Sequence, residues 1–136
     1  MTNTGKIELM APAGNFESLQ AAIDNGADSV YFGVDQLNMR ARASINFTID
    51  DLEEIARRCA PKGIRTYLTL NTIIYDHDLT IIKTLLDAAK KAKLTAVIAM
   101  DQAVIAYARQ IGMEVHISTQ INITNIETVR FYAMFA

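Results

Sequence analysis

The most constraining feature of this chain is a regular alternation: short apolar runs of strand length are separated by longer amphipathic stretches. The short runs cover residues 8–11, 28–32, 64–70, 95–100 and 114–118. Several are rich in Val, Ile, Thr and Tyr, whose branched or flat side chains suit a pleated surface. The stretches between them have helical periodicity and readable ends. Asn15 is placed to cap a first helix, and Gly26 to end it in the left-handed conformation that glycine adopts without a Cβ clash. Thr48 and Asp51 form a capping-box pattern at the second, which stops before Pro61-Lys62-Gly63. Leu79, Ile82, Leu85, Leu86 and Ala89 stripe one face of the third. The fourth runs from Asp101 to about Ile111 and is closed by Gly112. A fifth is expected to begin near Thr124, with Glu127 as its capping-box partner.

Strand-helix units joined by short links make a parallel sheet covered by helices. Two α/β architectures share that pattern, and strand composition separates them. An open doubly wound sheet has helices on both faces, so its strands are apolar throughout. A barrel strand sends alternate side chains to its helices and to the barrel interior. Here Thr66, Leu68 and Leu70 alternate with Arg65, Tyr67, Thr69 and Asn71, and Val115 and Ile117 alternate with His116 and Ser118. The expected fold is therefore a partial TIM-type (β/α) barrel. A whole barrel takes ~250 residues and eight strands. Residues 1–136 are thus expected to be the N-terminal part of a single barrel domain, with about five of its eight parallel strands. The remainder of the barrel and any C-terminal domain would lie outside them. The sequence also stops inside the expected fifth helix. The alternative is a five-stranded open sheet. Either way, unpaired outer strands favour self-association.

Composition narrows the function classes. With 51% apolar and 21% charged residues and a net charge of −2, the chain has the balance of one globular core, without the basic surface of a free-standing nucleic-acid module. No apolar stretch approaches the ~20 residues that span a bilayer, and residues 1–6 show no apolar leader, so a cytoplasmic protein without membrane contact is expected. The one cysteine, Cys59, excludes an internal disulfide and reads as buried core. Walker-type and dinucleotide-type glycine loops, metal-ligand spacings and a nucleophile elbow are absent from the sequence.

In such barrels the site lies where the C-terminal strand ends meet the following loops. That rule selects Asn15, Arg40 and Arg42, Asn71, Asp101 and Gln120, with Tyr31, Tyr67, Thr69, His116 and Ser118 facing inward below them. Asn15, Arg40, Arg42, Asn71 and Gln120 are candidate substrate contacts. His116 and Asp101 are the catalytic candidates, and no metal ligands are expected. Each has a plainer role beside the functional one. Asn15 and Asp101 suit helix caps, the two arginines suit a solvated loop as well as an anionic ligand, and His116 suits a satisfied interior histidine.

These same segments resemble a known family. Leu9-Met10-Ala11-Pro12-Ala13-Gly14-Asn15, Gly26-Ala27-Asp28-Ser29-Val30-Tyr31-Phe32-Gly33, Arg40-Ala41-Arg42, Thr69-Leu70-Asn71, Asp101 and His116-Ile117-Ser118-Thr119-Gln120 are similar to the opening half of the collagenase-like peptidases, family U32. The resemblance implies a catalytic barrel followed by further sequence. It implies either proteolysis, as the family name has it, or prephenate-dependent, oxygen-independent hydroxylation of RNA pyrimidines or of a small molecule. The hydroxylating members are associated with a cysteine-held iron–sulfur cluster. Such a cluster takes about four thiolates, and this chain has Cys59 alone. No cofactor is therefore expected in this chain, and an iron–sulfur cluster only in a full-length parent. A small anionic substrate or RNA is the partner implied for that parent, with Arg40 and Arg42 suited to a dicarboxylate. Under this reading the parent is an enzyme and the chain alone is inactive. A non-catalytic truncated chain is the remaining alternative.

Overall fold

A computed structural model describes residue 5, residues 7–34 and residues 47–136. Strands β1 (Met10–Pro12), β2 (Ser29–Phe32), β3 (Arg65–Leu70), β4 (Ala96–Ala99) and β5 (Glu114–Ile117) form one sheet in the spatial order β1-β2-β3-β4-β5. Every neighbouring pair is parallel. Helices α1 (Phe16–Asp24), α2 (Leu52–Cys59), α3 (Leu79–Lys91), α4 (Gln102–Gln110) and α5 (Ile126–Tyr132) follow the strands in turn. Right-handed crossovers taken in sequential order place the crossing helices on one face, whereas a doubly wound sheet must reverse its order. The order found has no reversal, and the architecture is that of a partial TIM-type barrel.

The register explains how the core is built. Phe32, Leu68, Val97 and Val115 lie side by side across the sheet on the helix-facing parity. They are buried together with Leu19, Leu52, Ile82, Leu86 and Val104 from the helices. Each such side chain withdrawn from water contributes roughly 1.5–3 kcal/mol. Phe47 belongs to the same core. It forms an isolated bridge with Val34 and meets Phe16 and Phe32 edge-on, at ring separations of 5.0 and 5.6 Å.

Helix ends follow the sequence closely, with instructive exceptions. Asn15 caps α1, its Oδ1 accepting the Ser18 N–H at 2.8 Å while Ser18 Oγ accepts the Asn15 N–H at 3.1 Å. The Asp51 carboxylate accepts both the N–H and the hydroxyl of Thr48, and Gly112 closes α4 at φ 70°. α5, however, starts one residue later than expected. Asn125, not Thr124, is its cap, with Oδ1 accepting the Thr128 N–H at 2.9 Å. α5 also ends at Tyr132, and the last residues turn back on hydrogen bonds to Phe131 and Tyr132 rather than continuing the helix. β1 is shifted as well, from the expected 8–11 to Met10–Pro12. The Leu9 N–H is taken by the Asp28 carboxylate at 2.9 Å, and the Leu9 carbonyl accepts from both Asp28 and Ser29, so regular pairing starts only at Met10.

Candidate functional site

Four of the selected side chains stand just past strand ends. Asn15 follows β1, Asn71 follows β3, Asp101 follows β4 and Gln120 lies in the turn after β5. Their local duties differ. Asn15 Oδ1 is committed to the α1 cap. Asp101 uses both oxygens: Oδ1 accepts the Ala103 N–H at 2.8 Å, capping α4, and Oδ2 accepts the Ile74 N–H at 3.3 Å, tying the loop after β3 to the end of β4. Asn71 is half-buried. Gln120 is exposed in a 3-10 turn whose N-cap is the buried Ser118; the Ser118 hydroxyl accepts the Gln120 N–H. Arg40 and Arg42 lie outside the described residues.

Below this rim the inward parity carries a linked polar group that the sequence reading recognised only in part. His116 shares a register layer with Thr69 and Ile98. Its Nε2 is 2.8 Å from Glu114 Oε1, and its ring centroid is 4.9 Å from that of Tyr67. Tyr67 and His116 are on β3 and β5, and Ala96 is the β4 residue registered with Tyr67. So small a side chain leaves room for the tyrosine ring to reach across. Tyr67, 2% exposed, donates its hydroxyl to Glu8 Oε1 at 2.9 Å, and Arg65 pairs with the other oxygen of Glu8. The Ser29 hydroxyl is buried beside Glu8, short of full hydrogen-bond geometry with any group among the described residues. Ser29, followed by Tyr67 and Arg65, holds the Glu8 carboxyl below its ordinary range. Burial, reinforced by the hydrogen bond to Glu8, pushes the Tyr67 phenol up to about 12. Glu8, Arg65 and Glu114 were not selected in advance. Arg65 and Glu114 fall on the same parity as Tyr67 and His116, which is the signal that could have found them.

Among the described residues no cluster of three or more His, Cys, Asp or Glu is placed to hold a metal. Cys59 is fully buried, and burial pushes its thiol up, away from the thiolate that metal binding needs. A single buried thiol does not fit an iron–sulfur cluster, and the residues present do not fit that cofactor. An open groove of about 510 Å³, lined by Arg57, Gly63, Thr66, Lys91, Lys93 and Thr95, lies at the opposite end of the sheet, by the N-terminal ends of β3 and β4. No helix of the described residues is long and apolar enough to cross a membrane.

A parallel strand-helix array taken in sequential order, with a polar inner face, defines a protein of the partial (β/α)-barrel class. Residues 14–135 match the model of peptidase family U32, and the chain belongs to that family. It is 55% identical over 134 residues to a collagenase of Porphyromonas gingivalis, covering 98% of this chain and 32% of the relative. It is 34% identical over 131 residues to the tRNA hydroxylation protein P1 of Bacillus subtilis, covering 95% and 31% respectively. The chain thus spans about a third of the length of these curated relatives. The solved structure of the U32 peptidase Mk0906 superposes on all of this chain and 58% of its own, with a TM-score of 0.73 at 11% identity, a likeness of fold.

Proposed function

We propose that this chain forms the N-terminal portion of the catalytic barrel of a cytoplasmic U32 enzyme that hydrolyses peptide bonds, with His116 as the group that activates water. The observation that carries this reading is the His116–Glu114 contact at 2.8 Å on the inner face. With Glu114 accepting the Nε2 proton, Nδ1 keeps its lone pair and can take a proton from a water directed at a scissile carbonyl. Tyr67 limits the ring's freedom from one side. Asn71 and Gln120, at the rim, would orient the peptide. Arg40 and Arg42 would meet an anionic group of the substrate. The similarity to the Porphyromonas collagenase supports the substrate class.

The test is cleavage of a fluorogenic gelatin-derived peptide by the protein as its gene encodes it, with the His116→Gln and Glu114→Gln variants. Loss of the general base is expected to lower kcat by about 10²–10⁴, with KM and melting temperature little changed. Absence of cleavage by the parent protein, or full activity in His116→Gln, would overturn the reading.

A second reading, oxygen-independent hydroxylation of RNA pyrimidines, is favoured by a different observation. Ser118 is buried and occupied as a cap, and Cys59 is buried with its thiol pushed up, so covalent hydrolysis through either side chain is closed and peptide hydrolysis keeps only the water route through His116. The similarity to a tRNA hydroxylation protein points the same way. Under this reading the rim holds a small anionic hydroxyl donor, and any iron–sulfur cluster is held by residues outside this chain. Mass spectrometry of nucleosides from a strain lacking the gene decides it. Loss of a hydroxylated pyrimidine supports hydroxylation, and an unchanged profile excludes it.

A further inference from the structure

The helical segments that lead into β2, β3, β4 and β5 all end in one way. Two consecutive residues donate their N–H groups back into the preceding turn: Gly26 and Ala27, Gly63 and Ile64, Lys93 and Leu94, Gly112 and Met113. The motif holds its first residue in the left-handed conformation, and the φ values are 81°, 67°, 61° and 70°. Glycine, which adopts that conformation without a Cβ clash, stands at three of the four positions. Lys93 stands at the fourth, where an L side chain is strained. The dipole of α3 does not account for it, because Lys90 and Lys91 already supply cations to the last turn. Lys93 is exposed and makes no ion pair among the described residues.

The strained lysine borders the open groove of about 510 Å³ by the N-terminal ends of β3 and β4. These are inner strands, so the groove lies away from both sheet edges. Ala56, Ala60, Ile64 and Ala92 make its lining apolar, and Arg57 and Lys91 stand with Lys93 around it. Glu54 pairs with Arg57 at 2.6 Å and Glu53 with Lys91 at 3.1 Å. Residues 53–65 and 90–95 hold seven of the 13 lysines and arginines but two of the 15 aspartates and glutamates, in a chain whose net charge is −2. The positive charge is thus gathered on this one end of the sheet.

We propose that this groove docks an acidic, amphipathic segment of a partner protein, with Lys93 as the charged anchor. The surface is separate from the candidate site, which lies at the other end of the strands, and it serves either reading of that site. Charge complementarity selects an acidic partner and steers it to this face. The lining then selects carboxylates over phosphates. Phosphate is cradled by free backbone N–H groups or by a guanidinium fork. Here the N–H groups of Gly63, Thr66, Lys93 and Thr95 all donate within the chain, and the fork of Arg57 is taken by Glu54. Among the described residues no aromatic side chain lines the groove to stack on a base. A lysine point charge beside aliphatic surface remains, and it suits glutamate or aspartate interleaved with aliphatic side chains.

The probe is a short, fluorescently labelled peptide with leucines at helical spacing on one face and glutamates elsewhere, titrated by anisotropy into the protein as its gene encodes it. Lys93→Gly relieves the left-handed strain and removes the charge, so its two expected effects have opposite signs. Its melting temperature should equal or exceed the parent's, while binding weakens about fivefold, the weight of one charge pair near water. Lys93→Gln, which keeps the Cβ and loses the charge, should weaken binding as much. The same peptide with glutamine for glutamate should bind neither variant nor parent. Parent-like binding by Lys93→Gly or Lys93→Gln overturns the proposal, as does failure of the parent to bind the acidic peptide. A lower melting temperature in Lys93→Gly also overturns it, by showing that the lysine is there for stability. Lys93-dependent binding of an oligouridylate in preference to the peptide overturns it in favour of a nucleic-acid occupant.

Discussion

Tyr67 gives its hydroxyl to a carboxylate 59 residues away in sequence, and with the Arg65–Glu8 pair this contact joins β3 to the segment before β1. Tyr67→Phe would keep the ring against His116 and remove one of Glu8's donors. Taking one partner from a part-buried carboxylate is expected to cost about 1–2 kcal/mol, read as a lower urea midpoint at pH 7. The signs of the pH dependence follow from the shifts. Tyr67 is raised from 10.0 to about 12, so its contribution is fully present below pH 10 and is lost as pH rises through about 12. Glu8 is lowered from 4.5, so its contribution is present above that value and is lost as pH falls through the folded-state value. The alkaline loss should shrink in Tyr67→Phe, and an unchanged alkaline limb would show that the pair is not coupled to folding. Parity along β3 made the inward Tyr67 legible in the sequence. Its partner was not, because Glu8 precedes the regular part of β1 and no local pattern links residues so far apart.

Helix ends were legible where the capping group and its target sit within one turn. Asn15 with Ser18 and Thr48 with Asp51 are such cases. At α5 two adjacent residues competed for the cap, and the local pattern could not decide between them. Asparagine ranks above threonine as a cap, and Asn125 Oδ1 takes both the N–H and the hydroxyl of Thr128. Asn125→Ala is therefore expected to cost about 1 kcal/mol and to fray α5, whereas Thr124→Ala should be near neutral. Amide exchange of residues 126–132 distinguishes them, and equal effects would contradict the assignment. Asp101 acts between elements rather than within one. Asp101→Ala frees the Ala103 and Ile74 amides at once. The expected outcome is a loss of about 1–2 kcal/mol with faster exchange at Ile74 and Tyr75. Protection retained at those amides would mean that the loop after β3 holds itself.

The alternation of strand-like and helix-like stretches fits a barrel and a doubly wound sheet alike, and the sequential strand order was legible only through the polar and apolar parity of β3 and β5, which favours the barrel. What lies against the outer strands was not, because edge pairing is decided by surfaces rather than by local pattern. Among the described residues β1 and β5 each have a strand on one side only. The β1 edge is apolar where it is open: Leu9 and Met10 are both exposed, and Tyr31, also exposed, is registered with Pro12 at the far end of the strand. An exposed apolar edge strand pairs readily with another chain. The 136-residue chain purified by itself is therefore expected to self-associate with rising concentration, as measured by light scattering after gel filtration. Met10→Lys places a charge on the edge strand, the device by which natural sheets block such pairing, and should move the chain toward monomer without changing its circular dichroism. A parent chain that stays monomeric across the concentration range, with a cooperative melt, would show that the β1 edge is quiet. Association unaffected by Met10→Lys would shift attention to α5, where Ile126, Val129 and Phe131 are also exposed.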